Sequence, residues 1–149
     1  MIRYAHTNLI ARDWRRLAAF YVDVLGCERL EPERDLSAEW LARGTGVVAA
    51  RLRGIHLRLP GHGKKGPTLE IFSYDHALPE PATAAQRHGY GHLVFEVDDV
   101  AAVADAIVAA GGRYAGEIVS ADIARAGTIT FVYLADPEDN LIEIQSWRR

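Results

Sequence analysis

The chain has 149 residues, 49% hydrophobic and 25% charged, which suits one compact unit or two small halves sharing a core. A formal net charge of −3 leaves no broad basic surface and argues against nucleic acid as a partner. No apolar run reaches membrane-spanning length, and "MIRYAHTNL" lacks the hydrophobic core of a signal peptide. The lone Cys27 cannot form an internal disulfide, so a cytoplasmic setting is expected, with the thiol acting as a small buried apolar group.

In chain order, residues 4–11 alternate as a strand, and Asp13 then stands where a helix N-cap belongs. Trp14, Leu17, Ala18 and Tyr21 fall on one helical face, and Gly26 ends the helix. "CERLEPER" and "VVAARLRGIHLRL" read as extended segments around a short helix, "SAEWLARG". The loop "GHGKKGP" has turn chemistry and leads into the strand "LEIFSY", residues 69–74. Residues 75–89, with "HALPEPATAAQ", read as a linker between a module at 1–74 and a second at 90–149. A further strand from His92 follows, then a helix capped by Asp99, with Val100, Val103, Ala104 and Ile107 on one face and Gly112 at its left-handed end. "GRYAGEIV" and "TITFVYLA" read as one strand each. The turn "DPEDN" then offers Pro137 for its second position and Asn140 for a left-handed conformation, before a last strand, "IEIQSW".

This order repeats. Without a gap, the segment from residue 6 lies over the segment from residue 92, so that His6 meets His92, Asp13 meets Asp99 and Gly26 meets Gly112. "LEIFSY" likewise lies over "IEIQSW", matching Glu70 to Glu143. The fold class read from this pattern is α+β, a βαβββ module built twice.

A carboxylate in an otherwise apolar strand is costly unless paired, metal-bound or protonated, and here it recurs in both halves. Alternation puts Tyr4, His6, Asn8 and Ile10 on one face of the first strand, and His92, Val94 and Glu96 on one face of the strand that opens the second half. Glu70 shares a face with Phe72 and Tyr74, and Glu143 with Leu141, Gln145 and Trp147. The opposite faces, Leu69 with Ile71 and Ile142 with Ile144, are apolar enough to pack beneath helices. Two imidazoles and two carboxylates turned away from the helices fit one divalent metal with mixed nitrogen and oxygen donors (Zn, Ni, Co, Mn or Fe) and positions left open for a small-molecule substrate.

Three stretches, "FYVDVLG" (20–26), "GYGHLVFEVDDV" (89–100) and "YLADPEDNLIEIQ" (133–145), resemble the vicinal oxygen chelate superfamily, which includes lactoylglutathione lyase, methylmalonyl-CoA epimerase, extradiol dioxygenases and bleomycin-resistance-type binding proteins. The resemblance covers nearly the whole chain. It implies that paired modules curve into an eight-stranded mixed sheet around the metal, with helices on the outer face and a second subunit completing a homodimer. By it, His6, Glu70, His92 and Glu143 match the family's metal positions, with Glu143 and its counterpart Glu70 as proton-transfer bases.

The ligand set and "GYGHL" resemble lactoylglutathione lyase most, and the implied reaction is a lyase or isomerase step that moves a proton beside a carbonyl. That enzyme's glutathione-holding Arg and Asn are replaced here by Ile10 and Tyr74, and Phe72, Tyr74, Tyr133 and Trp147 form an expected substrate wall. An epimerase acting beside a thioester would use the same site, with Lys64 and Lys65 placed to meet a phosphate. An extradiol-type reading would use His6, His92 and Glu143 on Fe(II), with Tyr133 ten residues before Glu143; the extradiol pattern's upstream His is missing around 124–126, and Asp139 replaces its Gly. His56, His62, His76 and His88 lack a repeat partner and read as surface or loop residues, and Glu39 as an exposed helical one.

Overall fold

The structure is a computed structural model that describes residues 1–79 and 81–149. Glu80, within the expected linker, lies outside the described residues. The chain divides into two compact units, Met1–Glu80 and Pro81–Arg149.

The first unit runs β1 (His6–Ile10), α1 (Trp14–Asp23), β2 (Glu28–Leu36), α2 (Glu39–Thr45), β3 (Leu52–Arg58) and β4 (Thr68–Tyr74). Its four strands form a sheet in the order β1-β4-β3-β2, with β1 parallel to β4 and the other neighbours antiparallel. The helix α1 starts where Asp13 accepts a hydrogen bond from the Arg16 backbone N–H at 3.1 Å. It buries Trp14, Leu17, Ala18 and Tyr21, as the spacing predicts, and Phe20 as well. Gly26 follows with φ +69°, a conformation that costs a residue without Cβ little. Leu17, Ile55, Leu57, Leu69 and Ile71 are completely buried and form the layer between helix and sheet. Cys27 is buried as expected, and burial pushes its thiol up to about 12, so it stays protonated at neutral pH.

The helix α2 sits on the other face. Its Leu41 packs with Ala50, Leu52 and Phe72, and Phe72 projects on the same side of β4 as Glu70. The expected strand from Val47 starts later, at Leu52. Gly46 closes α2 in a left-handed cap, Ala49 takes φ +51°, and Val48 is left 91% exposed in the turn between them.

The second unit opens on the same strand–helix order but, among the described residues, lacks a counterpart of α2: β5 (Leu93–Glu96), α3 (Val100–Ala109), β6 (Arg113–Tyr114), β7 (Val119–Ile123), β8 (Gly127–Ala135) and β9 (Leu141–Arg148). The sheet order is β5-β9-β8-β6, with β7 on the same partner, β8, and β5 parallel to β9. "GRYAGEIV" was expected as one strand. It divides into β6 and the start of β7 because the Ala115 and Gly116 N–H groups both turn onto the Tyr133 carbonyl, at 2.9 and 3.0 Å. This interruption is why the second sheet has five strands and the first has four. The edge β2 also breaks step, with a register shift between Leu30 and Arg34.

Asp99 caps α3 by accepting from the Ala102 N–H at 3.0 Å, and Val100, Ala104 and Ile107 are buried. Val103, expected on that face, is half-buried. The left-handed residue after α3 is Gly111, φ +98°, and not Gly112. Gly112 serves a different need: a Cβ there would lie 2.6 Å from the Ala135 carbonyl oxygen, so the backbone passes where no side chain fits. In the turn before β9, Asp139 takes the positive φ that was expected at Asn140. The buried Asp136 carboxylate accepts from the Glu138 and Asn140 N–H groups at 2.8 and 3.0 Å and from the Asn140 side-chain amide at 2.9 Å. This turn delivers β9 in register. Among the described residues, no helix is long and apolar enough to cross a membrane.

Candidate metal centre

In the first unit, β4 lies between β1 and β3, and Glu70 faces Asn8 on one side and His56 on the other. Only 9% of Glu70 is exposed. His6, at the start of β1, brings its Nε2 to 3.4 Å from Glu70 Oε2. The Asn8 amide donates at longer range to the Glu70 carbonyl, 3.4 Å, and to Oε2, 3.5 Å. His56 approaches the other carboxylate oxygen, its Nε2 3.3 Å from Oε1. His56 also meets Phe72 edge-on, with ring centroids 5.7 Å apart. Burial lowers the pKa of His56, the Arg34 and His6 charges lower it further, and Glu70 opposes them by raising it.

The second unit makes a matching pair. His92, immediately before β5, sets its Nε2 3.0 Å from Glu143 Oε2, and 9% of Glu143 is exposed. Across the strand pair, Glu143 stands opposite Tyr133. Burial first, then the nearby Glu143 carboxylate, raise the Tyr133 pKa. The His92 and Tyr133 rings lie 4.7 Å apart.

Each buried carboxylate therefore sits against an imidazole Nε2 through Oε2. Mutual facing of two donor atoms is the disposition expected of ligands that share a cation, and imidazole with carboxylate suits Zn, Ni, Co, Mn or Fe(II). Each unit by itself brings one imidazole and one carboxylate together. Among the described residues, no group of three or more His, Cys, Asp or Glu is itself arranged to hold a metal ion.

The four aromatic residues of the expected substrate wall lie two in each unit. Phe72 belongs to the cluster beneath α2, and Tyr74 packs against that cluster. Tyr133 lines a cavity of about 560 Å³ within the second unit, together with Phe131, Leu141, Arg113 and Tyr114, and residues 83–86 run along it. Thr83 fastens that segment by donating to the Asp139 carbonyl at 2.6 Å. Trp147 lines a separate, more polar cavity with Glu96, Asp98 and Thr130. His56, expected at the surface or in a loop, is instead half-buried in β3 against Glu70, because the β3–β4 register sets it opposite that carboxylate; Asn8 is the other contact of Glu70 that the sequence pattern does not mark. A gapped comparison of "GIHLRL" with "FVYLAD" would have found His56, because it sets His56 against Tyr133.

The family model for the Glyoxalase/Bleomycin resistance protein/Dioxygenase superfamily matches residues 3–144. The chain belongs to this superfamily. It is 27% identical over 143 residues to a probable lactoylglutathione lyase of Vibrio parahaemolyticus, covering 95% of this chain and 88% of that one. It is also 27% identical over 142 residues to the lactoylglutathione lyase of Haemophilus influenzae, covering 93% and 87%. Among solved structures, a glyoxalase family protein from Bacillus cereus matches with a TM-score of 0.77 at 17% identity, covering 99% of this chain and 94% of that one, which bears on the fold alone. A strand, a helix and a run of further strands in each unit are consistent with the βαβββ fold of the superfamily, with α2 inserted in the first unit and one strand divided in the second.

Proposed function

We propose that the protein is a divalent-metal-dependent enzyme of glyoxalase type, a lyase or isomerase that moves a proton beside the carbonyl of a small substrate. The observation that carries this reading is the repeated pair: His6 with Glu70 and His92 with Glu143, each through Nε2 and Oε2. In this reading the four side chains are the ligands of one divalent ion, drawn from one chain or from two copies in a homodimer, in the cytoplasm. When bound, such an ion supplies Lewis acidity, holding vicinal oxygens and offsetting the charge that develops on them.

The chain's own residues supply the rest. The Glu143 carboxylate takes a proton from the hydroxyl-bearing carbon beside the carbonyl and returns it to the carbonyl carbon, while the hydroxyl proton passes to the former carbonyl oxygen; Tyr133 stands opposite Glu143 across the strand pair. Glu70 is its counterpart as a base. The cavity lined by Phe131, Tyr133 and Leu141 takes the apolar part of the substrate in this reading. Ile10 and Tyr74, in place of glutathione-holding side chains, favour a substrate other than a glutathione adduct. A second reading draws support from Tyr133 beside both His92 and Glu143: an extradiol-type reaction on Fe(II).

The test is deuterium exchange from solvent into methylglyoxal–thiol adducts, an acyl-CoA and a catechol, before and after chelator treatment. Exchange beside a carbonyl that stops with chelator and returns with added Zn²⁺, Ni²⁺ or Co²⁺ is expected; exchange in the acyl-CoA alone would assign the epimerase branch. Catechol ring opening with Fe²⁺ would overturn the proton-transfer reading, and chelator-insensitive ligand binding without turnover would make the protein a binder.

A further inference from the structure

We infer that His56 is a positioning residue for Glu70: it engages Oε1 and thereby commits Oε2 to the ligand side of the site. This rests on the metal reading above and concerns a side chain to which that reading gives no role.

Three observations support it. The two oxygens of Glu70 have different neighbours, Oε2 facing His6 at 3.4 Å and the Asn8 amide at 3.5 Å, and Oε1 facing His56 at 3.3 Å. His56 is directly opposite Glu70 in the β3–β4 register, as Tyr133 is directly opposite Glu143 in the β8–β9 register. Each carboxylate thus has one imidazole at Oε2 and one cross-strand side chain that can donate, an imidazole in the first unit and a phenol in the second. A nitrogen at 3.3 Å is within reach of a hydrogen bond, and such contacts commonly tighten once a site is filled. A carboxylate held at one oxygen presents the other to a ligand and loses little rotamer freedom on binding. Outer partners of this kind typically change metal affinity by 10- to 100-fold when removed.

The competing explanation is packing, because His56 also lies edge-on against Phe72. Two substitutions separate the roles. His56→Gln keeps a donor that can reach Oε1 but loses the ring. His56→Phe keeps a ring against Phe72 but has no donor. The measurement is Co²⁺ affinity of the metal-free full chain, by competition with a chromophoric chelator, with the Co²⁺ absorption spectrum and the thermal midpoint recorded for each variant.

The expected result is that His56→Phe weakens Co²⁺ binding by about 10- to 100-fold and shifts the spectrum, while His56→Gln stays near wild type. If His56→Phe binds Co²⁺ as wild type does, or if Gln is the damaging change, the positioning role is wrong and the metal reading stands. Wild-type protein that takes up no Co²⁺ overturns the metal reading, and His56 with it.

Discussion

Glu143→Gln is expected to lower kcat/KM by about a thousandfold, in the range that loss of a general base produces. Glutamine fills the same volume beside His92 and Tyr133 but cannot take a proton, and its amide is a weaker ligand than a carboxylate. The fold should survive, since Val132, Leu134, Ile142 and Ile144 pack on the opposite face of the same strands and do not touch the substitution. Steady-state kinetics on whichever substrate exchanges deuterium, with a thermal scan of the variant as control, gives the answer. A variant that retains wild-type kcat would remove Glu143 from the chemistry.

The largest expected effect on stability is from Ile71→Ala. Ile71 is completely buried, between β1 and β3, beneath α1. Truncating it removes the transfer energy of the lost methyl groups and leaves a cavity in a close-packed layer, at a cost of about 2–5 kcal/mol. That cost corresponds to a fall in Tm on the order of 10 °C. Ile144→Ala should cost a similar amount, because Ile144 occupies the matching place on β9 and is also completely buried. Val48→Ala, at an exposed turn position, is the control and should change stability by no more than about 0.5 kcal/mol. Denaturant unfolding of the three variants checks the ordering, and an Ile71→Ala protein as stable as the control would mean that the layer beneath α1 is not the core described here.

Much of this fold is legible in the sequence because both halves state it. Asp13 and Asp99 cap helices, and the Leu69–Ile71 and Ile142–Ile144 faces are buried, since capping and period-two alternation are local physics that a sequence displays directly. The errors fall where two local needs compete. Gly112 was read as a left-handed helix end, but the tight passage past Ala135 claims it and Gly111 takes the positive φ. "GRYAGEIV" has strand composition throughout, yet two N–H groups sharing one carbonyl break it, and composition carries no mark of that.

At the candidate centre, the His–Glu pairs follow from repeat and alternation, whereas His56 does not. The loop between β3 and β4 is longer than that between β8 and β9, so an ungapped comparison never sets His56 against Tyr133. The cross-strand register, which only pairing reveals, puts each of them beside its glutamate. Phe72 illustrates a different limit. Alternation places it on the Glu70 face, but it cannot tell that α2 comes down on that face and packs against it.

The central claim is that His6, Glu70, His92 and Glu143 serve one divalent ion. Calorimetric titration of metal-free protein with Zn²⁺ tests it most directly, run on wild type and on His6→Ala, Glu70→Gln, His92→Ala and Glu143→Gln. The account predicts one ion per chain, with binding weakened by every one of the four substitutions. No binding by the wild type, or binding that survives both substitutions in either half, would contradict it.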